Sequence, residues 1–371
     1  MTRVLHVLDA RCDATALQTL ATLVSRLDGD HDSHAVAAID PGIRSLAARF
    51  LDRPLHLAPR RLARALNFAP GLADLGRTFR ADVVHAWGAD AARVAAARLR
   101  RTPLVVSVLD PAAARQDARW IRSLPAAAVS VGQQVMRARL VAAGLSPGRV
   151  AVIRGAVDFA QINQTRRSDV RQRLVGSAGP VALMHGPPTR AGGQFFGLWA
   201  AAIVSQVRPD LRVILPYASQ ESRRLRRFVR AIGMPDLLVV PDPDETWPHL
   251  LGAADVFVCP AVGEINTEPL AWAMAAGVPI VGSAVRSVAE LIADRHNGLL
   301  SKPAVPRLLA GRWLAAIEDG DLVRRITDVA RGQAFEVFGL RNFCDHYARL
   351  YENLLAGRDV GDGIRDTAMV A

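Results

Sequence analysis

The stretch PAVGEINTEPLAWAMAAG, Pro260 to Gly277, decides the fold of this chain. The apolar run before it, Ala254 to Cys259, predicts a buried strand, and the run that begins at Pro279 predicts another. Between the strands, the alanine-rich segment Leu270 to Ala276 predicts a helix that the following glycine ends. Strand, loop, helix and strand form one parallel unit, and its loop lies at the carboxyl end of the sheet. Ligands of open α/β sheets bind at that edge.

The loop of this unit carries side chains that suit one kind of ligand. It contains Glu264, Asn266, Thr267 and Glu268. A carboxylate accepts hydrogen bonds from hydroxyl groups, and the N-terminus of the following helix presents unpaired N–H groups to an anion. Together these features indicate a ligand with both hydroxyls and phosphates, such as a nucleotide-sugar.

Length and element order indicate two α/β domains. At 371 residues the chain is longer than one typical core requires. Predicted strands alternate with helices in both halves, which is typical of parallel, doubly wound sheets. We expect an N-terminal Rossmann-like domain over residues 1–165 and a C-terminal one over 175–338. A C-terminal helix over 339–356 and a flexible tail over 357–371 are expected to follow.

The net charge of +11 is open to two interpretations. One is attraction to nucleotides, anionic lipid or nucleic acid, and the other is arginine scattered over a solvated surface. The densest cluster, Arg223 to Arg227, fits the exposed face of a helix with Leu225, Phe228 and Val229 beneath it. No aromatic residue interleaves with these arginines in sequence, so base stacking has little support and no nucleic-acid partner is expected.

Cysteine usage and hydropathy indicate the compartment. Cys12, Cys259 and Cys344 are too far apart for a metal site and their odd number fits no disulfide framework, which is typical of a reducing cytoplasm. Met1 to Ala10 has too short an apolar part for a signal sequence, and no apolar run reaches the length of a membrane span. We expect a soluble, cytoplasmic chain whose basic surface can contact the inner face of a membrane.

Several motifs on both sides of the opening stretch resemble one family. They are Leu250 to Pro260, Ala273 to Val281 and Asn297 to Leu300, and Ile153 to Asp158 is similar to the segment that closes that family's first domain. The chain thus resembles the GT-B glycosyltransferases and, more narrowly, the retaining family 4 group (glycosyl transferases group 1). The resemblance implies two tandem Rossmann-like domains that face each other across a cleft, with the nucleotide-sugar donor on the second and the acceptor on the first. It also implies a C-terminal helix that crosses back to the first domain, and neither a metal nor a cofactor.

The resemblance assigns the catalytic role to Glu264, which matches the first of the family's two glutamates and would contact the donor sugar. Trp272 stands where the second glutamate holds the ribose, and an indole cannot accept a hydroxyl proton. Glu268 lies one helical turn earlier on the same face; it could reach the ribose, or serve only as a favourable charge in the first turn. Pro187 stands in place of the family's phosphate-binding arginine. Arg190 lies near the position of its lysine, where a guanidinium could fork onto the diphosphate.

Further contacts follow from the same resemblance. The residues expected to bind the donor are Gly186, Arg190, Ile265, Asn266, Thr267 and Glu268. On the acceptor side, Trp87 could line the cleft or pack at a strand end, and Asp110 could serve the site or form only a turn with Pro111. The segment Asp9 to Asp13 contains no glycine, which excludes a dinucleotide-binding fingerprint in the first domain.

Three functions are therefore considered. The first is a hexosyltransferase-type glycosyltransferase that moves a sugar, with retention, from a nucleotide-sugar to a lipid-linked glycan, a polysaccharide or a small molecule. The second is a catalytically inactive GT-B protein that binds a nucleotide or glycan or acts as a partner subunit, which the replaced motif residues favour. The third, an epimerase of GT-B shape, is weaker because the paired catalytic carboxylates and histidines that it needs are not evident.

Overall fold

The computed structural model describes residues 2–27, 32–57, 70–111, 113–124, 127–165, 167–176, 179–187, 189–216, 220–241 and 245–364. The chain divides into two compact units. The first unit comprises the chain up to Ala156 together with the segment that begins at Leu340, and the second runs from Val157 to Gly339. The two points at which the chain passes between units lie side by side, because the Val157 amide donates to the Phe338 carbonyl at 2.9 Å.

The first unit is a parallel sheet covered by helices on both faces. Its strands are β1 (Thr2–Leu8), β2 (Asp32–Ala38), β3 (Leu55–Leu57), β4 (Val83–Trp87), β5 (Leu104–Ser107), β6 (Ala128–Val131) and β7 (Val150–Val152), in the order β3-β2-β1-β4-β5-β6-β7. Its helices include α1 (Ala14–Leu27), α2 (Pro41–Ala47), α3 (Pro70–Phe79), α4 (Ala89–Arg98), α5 (Ala114–Ile121) and α6 (Gln134–Ala142). Apolar clusters lie on both sides of the sheet, which explains why its central strands are continuous apolar runs.

The second unit repeats this architecture. Its helices are α7 (Phe159–Gln164), α8 (Arg167–Leu174), α9 (Gln194–Val204), α10 (Gln220–Ala231), α11 (Trp247–Ala253), α12 (Glu268–Ala275), α13 (Arg286–Ala289), α14 (Pro306–Glu318) and α15 (Gly320–Val337). Its strands are β8 (Val181–Met184), β9 (Arg212–Ile214), β10 (Leu238–Val239), β11 (Val256–Cys259), β12 (Ile280–Ser283) and β13 (Leu299–Ser301), all parallel, in the order β10-β9-β8-β11-β12-β13. The predicted class, two parallel α/β domains of Rossmann type, is confirmed.

The last helix, α16 (Leu340–Leu355), packs in the first unit. Its buried residues, among them Phe343 and Tyr351, share one apolar cluster with α1. The chain beyond it is also held, since Val360 is 4% exposed and its amide donates to the Gly148 carbonyl at 2.9 Å. This differs from the flexible tail expected over 357–371, of which residues 365–371 lie outside the described residues. No helix in the described ranges is long and apolar enough to cross a membrane.

A buried polar network, which no sequence motif indicates, joins the first sheet to α16. The His85 ring lies between the hydroxyls of Tyr351 and Ser107, each 2.8 Å from one of its nitrogens. The indole N–H of Trp87 donates to Nδ1 of His6 at 3.1 Å. Burial lowers the pKa of His85 to about 3 and that of His6 well below its usual value, and neighbouring histidines add to both shifts. Both rings are therefore neutral at physiological pH.

We expect the first unit to lose stability as the pH falls below about 6.5, the pKa of an unfolded histidine. Below that pH these histidines are protonated in the unfolded chain but stay neutral in the folded protein. The stability that is present above pH 6.5 is therefore lost progressively as the pH falls toward their pKa values in the folded state. Each histidine contributes about 1.4 kcal/mol per pH unit, or together about 3 kcal/mol at pH 5.5. Urea unfolding at pH 7.5, 6.5 and 5.5 measures this loss.

His85→Gln should reduce the slope of unfolding free energy against pH, whereas His296→Gln, at an exposed histidine, should leave it unchanged. A free energy of unfolding that stays constant or rises between pH 7.5 and 5.5 would contradict the expectation.

Candidate functional site

The second sheet has one point at which its strand order reverses. β8 lies between β9, the next strand in the chain, and β11. The connections that leave β8 and β11 therefore run in opposite directions and open a crevice at the carboxyl edge of the sheet, where ligands of open α/β sheets bind. The loop after β8 (185–187 and 189–193) and the loop after β11 (260–267) border this crevice. We call them the first loop and the second loop.

The two loops are tied to each other by one carbonyl. Ala191 of the first loop accepts hydrogen bonds from the amides of Val262 (2.8 Å) and Gly263 (3.2 Å) of the second. Gly193 passes so close to the second loop that a Cβ on it would lie 1.9 Å from the Pro260 carbonyl oxygen. Its φ of +66° also lies in the left-handed region that favours glycine. The crossing therefore requires a residue without a side chain.

The first loop also folds tightly on itself. A Cβ on Gly192 would lie 2.1 Å from the Pro187 carbonyl oxygen, and one on Gly186 would lie 2.4 Å from the carbonyl oxygen of Gly192. The Gly186 carbonyl accepts a hydrogen bond from Nε2 of Gln194 at 2.7 Å. Oε1 of Gln194 is buried without a hydrogen-bond partner in the described structure. Gly186, an expected donor contact, thus allows the turn, and buried Gln194 is a support of this loop that sequence reasoning missed. Its signal is a glutamine directly after two glycines.

The helices that follow the two loops differ in their readiness for an anion. α9 begins with no side-chain cap and no acidic residue in its first turn. α12 begins with Glu268, and the Glu268 amide donates to Oδ1 of Asn266 at 3.0 Å. Uncompensated helix N-termini attract anions, whereas an acidic first turn weakens that attraction. The anion-ready helix end at this crevice is therefore that of α9, and not that of α12, where the sequence analysis expected it.

Glu264 is held by the start of α13. Its Oε2 accepts from the Ser287 amide at 2.8 Å, and the Ser287 hydroxyl accepts from the Ile265 amide at 3.2 Å. This pair of bonds fixes both the carboxylate and the loop backbone behind it. The Ile265 amide was expected to face a diphosphate, but its hydrogen bond to Ser287 means that it is not a free donor.

His185, the first residue after β8, supports the second loop from below. Its Nε2 donates to the Asn266 carbonyl at 3.2 Å, and its ring packs against Phe257 and Trp247. Burial lowers the pKa of His185 to about 4. The ring is neutral at physiological pH, and its Nε2–H positions the Asn266 carbonyl.

The remaining expected residues divide between surface and core. The Arg190 side chain is exposed and makes no hydrogen bond or ion pair with the residues that the structure describes. Glu268 is half-buried in the first turn of α12, and Thr267 beside it is 3% exposed. Trp272, one turn further on, is 2% exposed and lies in the apolar cluster beneath the sheet. The position that the resemblance gives to a second glutamate is thus part of the core.

The corresponding edge of the first sheet is closed. Asp9 follows β1 and accepts hydrogen bonds from the amides of Arg11 (2.8 Å), Asp90 (2.8 Å) and Ala91 (3.0 Å). Its carboxylate therefore occupies the N-terminus of α4. In a dinucleotide-binding domain the phosphate binds at the start of the helix after β1, and in α1 the Ala16 amide at that position donates to Oδ1 of Asp13 at 2.9 Å. Burial raises the pKa of Asp9, and the three amides oppose that rise.

The two residues expected on the acceptor side differ in solvent exposure. Trp87 is 2% exposed and stacks on His85, with ring centroids 4.7 Å apart, which is the packing alternative for this residue. Asp110 is exposed at the end of the loop after β5. Its carbonyl accepts from the Ala113 amide at 3.1 Å, as in a turn. Within the described residues, no group of histidine, cysteine, aspartate or glutamate side chains could hold a metal ion.

Solved structures with known folds match this chain along nearly its whole length. The crystal structure of HepE from Anabaena in complex with UDP-glucose matches this chain with a TM-score of 0.81 at 20% sequence identity, over 95% of this chain and 100% of that one. The fold is that of the GT-B glycosyltransferases.

Family models and curated relatives narrow the class. Residues 18–161 match the model for Glycosyltransferase Family 4, and residues 190–319 match that for Glycosyl transferases group 1. N-acetyl-alpha-D-glucosaminyl L-malate synthase from Bacillus anthracis is 24% identical over 155 residues, which are 42% of this chain and 40% of that protein. O-antigen chain mannosyltransferase B from Escherichia coli is 38% identical over 92 residues, 25% of this chain and 23% of that protein. Both halves of the chain thus match glycosyltransferase families, while the chain matches less than half the length of either relative.

The glycine at the loop crossing provides a test of the site's construction. Gly193→Ala should destabilise the second unit through both its positive φ and the clash with Pro260. Gly233→Ala is a matched control, because Gly233 has a φ of +76° but no atom within 4 Å of its added Cβ. We expect about 1 kcal/mol for the control and roughly 2 kcal/mol more for Gly193→Ala, measured by urea unfolding. Equal losses in the two variants would show that the crossing is not tight.

Proposed function

We propose that this chain transfers a sugar from a nucleotide-sugar donor to an acceptor hydroxyl with retention of configuration, as a hexosyltransferase-type enzyme. The observation that carries the proposal is the construction of the crevice. A carboxylate fixed by Ser287 borders it on the second loop, and an exposed arginine and the uncapped N-terminus of α9 border it on the first. HepE, which has the same fold, was crystallised with UDP-glucose, and this supports a donor of the same kind.

The diphosphate is assigned to the first loop. Cleavage of the bond between sugar and phosphate leaves negative charge on the diphosphate, and stabilising that charge lowers the barrier. The amides in the first turn of α9 point toward such an anion. Arg190 would add a guanidinium that can bind two phosphate oxygens at once, and Gly186, Gly192 and Gly193 allow the tight fold of the loop that carries it.

The donor sugar is assigned to Glu264. A carboxylate is an acceptor with about four hydrogen-bonding positions, and the Ser287 amide fixes the direction of the Glu264 carboxylate. Hydroxyls of the sugar would donate to this carboxylate, which would hold the ring in place relative to its leaving group. Asn266 and Thr267 belong to the same loop, and the neutral ring of His185 holds the Asn266 carbonyl.

The ribose is assigned to Glu268. The half-buried carboxylate of this residue stands one turn before Trp272, which is too deeply buried to contact a nucleotide. The proposed site therefore uses a glutamate at the start of α12 in place of one a turn later. The acceptor would be a lipid-linked glycan, a polysaccharide or a small molecule, and Asp110 is the exposed candidate for its hydroxyl.

The proposal needs no metal, because Arg190 and the α9 amides supply the positive charge that a leaving diphosphate requires. We likewise assign no cofactor, and the nucleotide-sugar is a substrate. We also propose that the chain is cytoplasmic, because a cytoplasmic chain would have access to nucleotide-sugar donors.

Buried Trp272 favours one alternative, a catalytically inactive GT-B protein that binds a nucleotide or glycan or serves as a partner subunit. Calorimetric titration with UDP, GDP and their hexose conjugates separates these functions. Binding together with turnover supports the transferase, binding without turnover supports the nucleotide-binding protein, and no binding supports the partner subunit.

Glu264→Gln tests the catalytic assignment most sharply. The amide oxygen can still accept from the Ser287 amide, so the fold and the thermal midpoint should be retained while the negative charge is lost. We expect the rate of sugar transfer to fall by about a hundredfold or more, measured as release of nucleoside diphosphate.

Glu318→Gln, at an exposed carboxylate at the end of α14, is the control and should leave transfer unchanged. A Glu264→Gln variant with the activity of the unmodified protein would sink the assignment of Glu264.

A further inference from the structure

Two helices of the second unit expose a cluster of apolar side chains on one surface. On α9, Phe195 and Trp199 are 46% and 49% exposed and stand one turn apart. Phe228 of α10 packs against both, with ring centroids 5.0 Å from Phe195 and 5.8 Å from Trp199. Ile232 follows Phe228 by one turn and is 37% exposed. We call these four residues the aromatic patch. Contiguous exposed apolar surface of this kind marks an interaction site.

An arginine-rich surface adjoins the aromatic patch. The core face of α10 is formed by Ser222, Leu225 and Val229, which are buried. The opposite face carries Arg223, Arg226, Arg227 and Arg230, all exposed. None of these four makes an ion pair or hydrogen bond with the described part of the chain, and we call them the arginine face. Phe228, expected beneath the arginines, is only half-buried, so aromatic rings do adjoin them in space.

The ring geometry of the patch decides between two kinds of partner. Trp199 and Phe228 are stacked on each other with an interplanar angle of 25°, and Phe195 leans on Phe228 at 54°. Trp199 and Phe228 thus each cover one ring face of the other. Nucleic-acid bases stack on free ring faces, whereas the boundary between lipid headgroups and acyl chains accommodates a compact apolar cluster with a Trp at its rim.

We propose that the aromatic patch and the arginine face form a docking surface for an anionic lipid bilayer. The patch enters the boundary of headgroups and acyl chains, and the arginines lie over it against anionic headgroups. Charge complementarity supports this occupant, because the cytoplasmic leaflet is negative and both the arginine face and the chain, at +11, are positive. The attachment is peripheral and independent of the function proposed above, although α9 begins directly after the first loop, so docking holds that loop close to the bilayer.

Co-sedimentation with vesicles of phosphatidylcholine alone and of phosphatidylcholine with phosphatidylglycerol tests the proposal. We expect the protein to bind only the anionic vesicles, and more weakly as salt rises. Phe195→Ala/Trp199→Ala should lower the partition coefficient at least about tenfold. Arg223→Gln/Arg227→Gln should lower it by about fivefold for each arginine removed.

Matched controls keep the test specific. Phe335→Ala removes an aromatic side chain that is 69% exposed on α15, and Arg325→Gln/Arg341→Gln removes two exposed charges elsewhere. These variants should bind anionic vesicles like the unmodified protein, apart from the small effect of the lower net charge.

A spectroscopic readout locates the contact. All six tryptophans lie in the described ranges, and among them only Trp199 is exposed, so vesicles with brominated acyl chains should quench its emission on binding. Trp199→Phe retains the apolar surface and should bind while losing most of this quenching. Absence of binding to anionic vesicles, equal loss of binding in the control variants, or quenching that persists in Trp199→Phe would overturn the proposal. If self-association or single-stranded nucleic acid covered the aromatic patch and vesicles did not bind, that result would also overturn the proposal.

Discussion

The absence of a side chain at Gly193 is the constraint on which the second domain's site depends. Because no Cβ stands between this residue and the Pro260 carbonyl, the loops after β8 and β11 can cross in contact, and the Ala191 carbonyl binds two amides across the crossing. Arg190 precedes that carbonyl in one loop, and Glu264 follows the bound amides in the other. The separation of the two loop backbones that carry Arg190 and Glu264 is thus set by backbone hydrogen bonds. Such preorganisation is what stabilisation of a leaving diphosphate requires.

The two domains share one strand order but differ at the point where that order reverses. In the first, the Asp9 carboxylate takes the amides at the start of α4, and Asp13 caps α1, the helix that corresponds to α9, by accepting from the Ala16 amide. In the second, the reversal between β8 and β11 leaves the N-terminus of α9 uncapped. The difference accounts for where glycine occurs: the segment Asp9 to Asp13 has none, and the loop after β8 has three. One architecture therefore gives one domain with an anion-ready crevice and one without, as a division between donor and acceptor sides would require.

The fold could be predicted from the sequence because strands buried on both faces leave continuous apolar runs, and several helices between them, among them α4 and α12, are rich in alanine. The position of Glu264 at the carboxyl edge followed from the same pattern. What surrounds Glu264 could not, since Ser287 approaches from another strand–helix connection and only the register of β11 and β12 brings them together. The sequence places Trp272 where the family has its second glutamate, and only its burial in the structure shows that it belongs to the core. Likewise, the aromatic patch combines residues of two helices, and neither helix alone predicts it.

Hydrogen–deuterium exchange with and without a saturating nucleoside diphosphate tests most directly whether the crevice of the second domain is a donor site. Amides in the first loop and the first turn of α9 should become protected together with those of the second loop, because the ligand would bind α9 directly and rest against the loop that holds Glu264. The edge of the first sheet closed by Asp9 should not change. Protection confined to that first-domain edge, or binding with no protection at 186–197, would contradict the account.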